Sequence, residues 1–112
     1  MTRLIMILSV LVIMENNGYN FKQGRDGCGL FHIAPNTLQD YNLATGQNLT
    51  AQDLLDPEVA WDCAEGIITE IYKLPYETDE ELIELGRRWN NSHEFGVRLM
   101  NLVKAKEGKH GR

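Results

Sequence analysis

With 112 residues, 43% of them apolar, the chain has the size and oil content of one domain with one compact core. Its 11 basic side chains stand against 16 acidic ones, a net charge of −5, which is the wrong sign for a protein held on nucleic acid by phosphate neutralisation. Nucleic acid is therefore excluded as the expected partner.

Residues 4–14 (Leu-Ile-Met-Ile-Leu-Ser-Val-Leu-Val-Ile-Met) are apolar except for Ser9 and follow Arg3. The run superficially resembles the start of a secretory signal, but it leads into Met-Glu-Asn-Asn rather than the small residues that precede a cleavage point. It is also too short to span a bilayer, so no integral membrane span is expected. A helix apolar on nearly every face belongs at the centre of a domain. Asn16, Asn17 and Gly18 offer the left-handed conformation that closes it.

Residues 19–29 carry Gly24, Gly27 and Gly29 with little periodicity and read as a glycine-rich loop or a short β-hairpin. Pro35 then suits a first helical position, and Leu38 with Tyr41 gives a short helix its buried side. Residues 44–48 read as a turn, and Thr50 three before Asp53 as the cap of another short helix. Asp56-Pro57-Glu58 supplies cap, fixed φ and first-turn acid for a longer helix, along which Ala60, Cys63, Ala64, Ile67, Ile68 and Ile71 line one face. Gly66 within it costs helix propensity, which implies the close approach of another helix. Thr78-Asp79-Glu80-Glu81 begins a further helix with Leu82, Leu85 and Trp89 inward, and Asn90-Asn91-Ser92 breaks it. Ser92 caps a last helix whose Phe95, Leu99, Leu102 and Val103 share a face. The expectation is a mainly α chain, one domain over residues 1–106 with a frayed tail at 107–112.

Chemistry is concentrated at Glu15, a lone carboxylate at the C-terminal end of the apolar helix. Desolvation disfavours its charged form and the partial negative charge of a helix C-terminus repels it, so both effects raise its pKa. A protonated carboxyl near neutral pH is what the leaving oxygen of a glycoside requires. The other reading is a Glu that turns to solvent past the helix end. Cys28 and Cys63 belong to no Cys-x-x-Cys pair or Cys/His cluster, which leaves two buried thiols or one disulfide open. With only His32, His93 and His110 as histidines, neither metal nor cofactor is expected.

The order Glu15-Asn16-Asn17-Gly18-Tyr19-Asn20, then Gly29-Leu30-Phe31-His32-Ile33 with Pro35 and Thr37, then Leu55-Asp56-Pro57-Glu58, then Trp89-Asn90 resembles the catalytic domain of soluble lytic transglycosylases. That family shows Glu-Ser-Gly-Phe-Asn, Gly-Leu-Met-Gln-Ile with Pro-x-Thr, Phe-Asp-Pro and Ala-Tyr-Asn in the same order. The resemblance covers nearly the whole chain and implies a lysozyme-like fold, peptidoglycan glycan strands as substrate, and cleavage between N-acetylmuramic acid and N-acetylglucosamine. Glu15 then matches the acid/base. Asn16, the stretch Gly29, Leu30, Phe31 and His32, and the pair Trp89 and Asn90 match substrate contacts. Asn16 stands where the family has Ser, Phe31 where it has Met, His32 where it has Gln and Trp89 where it has Tyr. Asn and His can still hydrogen-bond a sugar, and Trp offers a larger flat face, although Trp89 and His32 also read as a core anchor and a satisfied loop histidine.

A single carboxyl suffices if the sugar supplies its own nucleophile, as the resemblance implies, giving a 1,6-anhydro product. Hydrolysis by two carboxyls is the rival enzyme reading. Asp26 in the glycine-rich loop is then the candidate second carboxylate, or else simply a turn former between Arg25 and Gly27. A third reading, from another class, is a non-catalytic peptidoglycan-binding or virion structural module. Only Met1-Thr2-Arg3 precede the apolar helix, where the family usually carries another helix. This suggests a minimal form such as phages carry, or a protein partner or virion assembly that covers the helix. The site of action implied is the cell wall, with the compartment open.

Overall fold

Among the described residues, local capping chemistry and apolar spacing produce five α-helices: α1 (Arg3–Asn16), α2 (Pro35–Thr45), α3 (Pro57–Gly66), α4 (Asp79–Asn90) and α5 (His93–His110), with a 3-10 turn at Asp53–Leu55 and a π-helical segment at Ile67–Tyr72. The structure is a computed structural model and describes residues 3–16 and 31–110. Among these the chain is mainly helical and holds no β-strand. The glycine-rich loop or hairpin expected at 19–29 lies outside the described residues, as does the predicted closure of α1 by Asn17 and Gly18. No helix among the described residues is long and apolar enough to cross a membrane.

Contacts divide the chain into two compact units, one made of Met1–Leu11 with Leu74–Arg112 and the other of Val12–Lys73. In the first, the Thr78 hydroxyl accepts from the Glu81 amide at 3.2 Å while the Glu81 carboxylate accepts from the Thr78 amide at 3.0 Å, a reciprocal capping box that starts α4. Asn91 at φ 56° ends the helix in the left-handed conformation. Ser92 then caps α5, accepting from the Phe95 amide at 3.2 Å. α4 packs against α5 with Leu82, Leu85, Leu99 and Val103 fully buried. Gly86 and Gly96 let the two backbones approach so closely that a Cβ on Gly86 would sit 2.6 Å from the Gly96 Cα. α5 also runs on through His110, past the frayed tail expected from Glu107. Glu107 takes both Nε and Nη2 of Arg3, at 2.5 and 2.6 Å, and Arg3 donates further to the carbonyls of Tyr76 and Glu77.

In the second unit Pro35 opens α2, Leu38 and Tyr41 are its buried residues, and Gly46 at φ 73° closes it. The Thr50 hydroxyl and the Asp53 carboxylate each accept from the other's amide, at 3.3 and 2.8 Å, fixing the 3-10 turn. Asp56 caps α3 by accepting from the Glu58 amide at 3.0 Å, with Pro57 following it. Gly66 admits the Tyr41 ring, the close approach of another helix that its position implies. The helix then widens into its π-helical segment until Lys73, at φ 51°, stops it. Ala60, Cys63, Ala64, Ile67 and Ile68 form the buried stripe, with Ile71 half-buried.

The expectation for α1 needs one correction. Met6, Ile7, Leu8, Val10 and Leu11 are buried, but Ile5 and Ile13 are 41% and 56% exposed. Ile5, Ser9 and Ile13 recur every four residues, so one stripe of this nearly uniform helix faces outward. Ser9 suits that stripe, since its hydroxyl donates back to the Ile5 carbonyl at 2.9 Å.

Candidate functional site

The last turn of α1 presents Glu15, whose side chain is only 9% exposed. Its Oε2 lies 3.6 Å from Nδ1 of His32, itself 31% exposed. The separation is within ion-pair reach and longer than a direct hydrogen bond. The Glu15 side chain does not turn into bulk solvent.

His32 reaches this carboxyl from an unusual backbone. Its φ is 50°, in the left-handed region that non-glycine residues seldom enter. The other two such residues among the described ones, Lys73 and Asn91, are helix C-caps, where that conformation is ordinary. His32 ends no helix, and what holds it is its neighbours: Phe31 and Ile33 on either side are 0% and 4% exposed. The Phe31 ring meets Trp61 edge-to-face, with centroids 5.8 Å apart and planes at 67°. Two buried anchors therefore over-determine the residue between them, the situation in which a sparsely populated backbone conformation persists.

One residue proposed for substrate contact is not placed to make it. Phe31 is a correction: its fully buried ring is a core anchor and cannot lie on a sugar, so its contribution is to position His32. Trp89 and Asn90, half-buried and exposed, end α4 in the other compact unit. Gly29, Leu30, Asp26 and the side chain of Asn16 lie outside the described residues. Among the described residues no group of three or more His, Cys, Asp or Glu side chains could hold a metal ion. Cys63 is a free, fully buried thiol whose pKa burial pushes up to about 12, and Cys28 lies outside the described residues.

The same unit contains a groove of about 560 Å³ between α2 and the segment that follows it, floored by Ile33, Leu38 and Leu54. Glu15 and His32 are not among its walls. No sequence motif marks it, because it is built from carboxamides and aliphatic side chains that carry no reactive group. Compared with known proteins, the chain matches no family model, no curated protein and no solved structure.

Proposed function

We propose that this chain is a peptidoglycan lytic transglycosylase of lysozyme-like architecture, with Glu15 as the acid/base that cleaves the β-1,4 bond between N-acetylmuramic acid and N-acetylglucosamine. One observation carries the reading: a carboxyl at the tip of an apolar helix, 9% exposed, facing an imidazole at 3.6 Å. Burial favours the neutral carboxyl, the form that can donate a proton. The order of motifs along the chain supplies the substrate class, and the acidic net charge agrees with a partner other than nucleic acid.

In this mechanism Glu15 gives its proton to the glycosidic oxygen as the bond to the muramic C1 breaks. The same sugar's C6 hydroxyl then attacks C1, and its proton passes to the Glu15 carboxylate, which regenerates the acid. The products are a 1,6-anhydro end and a free 4-hydroxyl, and no water is consumed. His32, held by Phe31 and Ile33, faces the carboxyl and offers a second polar group beside the reacting oxygens. Asn16, Gly29, Leu30, Trp89 and Asn90 are assigned to substrate contact on the resemblance of their motifs.

The test is mass spectrometry of purified murein digested by the protein. Anhydro-muramic ends, lighter by one water than reducing ends, are the expected products. Reducing ends would replace this reading with hydrolysis, in which case an Asp26→Asn variant should lose activity. An undigested substrate would leave only a binding or structural module.

A further inference from the structure

The groove beside α2 has the properties of a second, separate ligand site. Its volume, about 560 Å³, falls within the roughly 300–1,000 Å³ of typical small-ligand sites. Charged residues make up 24% of the chain, yet among the described residues none lines the groove. Its side-chain polar groups are the carboxamides of Gln39, Asn42, Gln47 and Asn48, set around the aliphatic floor. A phosphate or carboxylate would find no counter-ion among the described residues there. Carboxamides both donate and accept, which suits a neutral ligand whose own groups do both.

The wall is also built in advance. Asn42 donates to the Leu49 carbonyl at 2.9 Å and accepts from the Leu49 amide at 3.0 Å, imitating a backbone pair. The Gln47 amide donates to the Tyr41 hydroxyl at 3.0 Å, and Gly46 in its left-handed cap sets the turn between them. Gln39 and Asn48 are exposed, and their side chains make no hydrogen bond to the protein among the described residues. Two carboxamides are thus held in place by protein partners and two are left to a ligand. A rim ordered beforehand spares a ligand the entropy of ordering it.

We propose that this groove binds an uncharged N-acetylated saccharide at a place distinct from Glu15. Sugar hydroxyls and acetamido groups match the free carboxamides, and the apolar face of a pyranose matches the Ile33, Leu38 and Leu54 floor. The choice of sugar rests on the proposed function, while the groove's neutrality and shape do not. Such a site would hold a glycan strand through a second point, so that the acid at Glu15 acts on a tethered substrate.

The experiment is a titration of the 15N-labelled full-length Glu15→Gln variant, which cannot consume ligand, with tri-N-acetylchitotriose followed by NMR. Saturable shifts are expected at Gln39, Asn48 and Leu49, and the added double change Gln39→Ala with Asn48→Ala should weaken binding at least tenfold while the rest of the spectrum stays folded. Shifts confined to residues around 15 and 32, no saturable shift, unchanged affinity in the double variant, or equal shifts with a blocked neutral tripeptide would each overturn the proposal. Groove shifts from a protein whose wild type leaves murein intact would sink the proposed function alone. Murein cleavage without groove shifts would sink this inference alone.

Discussion

Replacing Gly96 with Ala tests the packing of α4 on α5 most severely. The new Cβ would fall onto the Ile83 carbonyl oxygen, with the carbonyl carbon at 3.0 Å and the Arg87 amide nitrogen at 3.2 Å. All three atoms are backbone, so no rotamer change relieves the overlap and the helices must separate. Shared between separation and tilt of the two helices, the relief opens the seam as a whole by about 0.5 Å, enough to forfeit about a quarter of the dispersion at its contacts. Leu82, Leu85, Leu99 and Val103 are the fully buried side chains these helices carry. At about 2 kcal/mol each, a quarter lost is about 2 kcal/mol. Residual overlap adds about 1–3 kcal/mol, and the better helix propensity of Ala returns about 1 kcal/mol. The net loss, about 2–4 kcal/mol, should lower Tm by roughly 8–16 °C on the scale of about 4 °C per kcal/mol for a domain of this size. Thermal unfolding followed by circular dichroism reads this directly. Gly108→Ala is the control, since its Cβ would meet nothing within 4 Å and should leave Tm unchanged or slightly raised. A Gly96→Ala protein that melts with the wild type would refute the close approach.

The Arg3–Glu107 pair makes stability depend on pH, because the Arg3 hydrogen bond holds the Glu107 carboxyl below its ordinary value of 4.5. A depressed folded pKa contributes stability that is present above the unfolded value and lost as pH falls through the folded one. Glu107→Gln should therefore cost about 1 kcal/mol at pH 7, and its denaturant midpoint should converge on the wild type's well below pH 4.5. Asp56→Ala removes the α3 cap and should cost about 1 kcal/mol in urea unfolding, whereas an unchanged midpoint would show the cap to be idle. With Cys28 changed to Ser, Cys63 should stay unlabelled by a thiol reagent at pH 7 in the native protein and react once unfolded, because burial holds its thiol near 12. Rapid native labelling would contradict its place in the core.

Helix starts were legible in the sequence because their chemistry is local. Thr78 with Glu81, Asp56 with Pro57, Ser92 and Pro35 each act within four residues, and each opens the predicted helix. Gly66 was legible too, since a glycine inside an amphipathic run implies a neighbour, here Tyr41. What escaped depends on partners distant in the chain. The Ile5–Ser9–Ile13 stripe is as apolar as the buried faces of α1 apart from its serine, so composition could not orient the helix. Phe31 reads equally as a groove wall or a core ring until Trp61 is beside it. The left-handed backbone of His32 has no glycine to announce it. Gly86 and Gly96 fall on adjacent helices with no sequence spacing that joins them. At the candidate site, Glu15 could be singled out from its oily helix, but its pairing with His32 required the fold.

The central claim is that a carboxyl kept out of water donates a proton to a sugar oxygen. Clearing of a murein suspension by wild type and by Glu15→Gln, a nearly isosteric change that removes the acid, tests it most directly. Wild type should clear the suspension, and the variant should be slower by about 10²–10⁴-fold, the usual worth of a general acid, with an unchanged melting temperature. Equal rates from the two proteins would contradict the account.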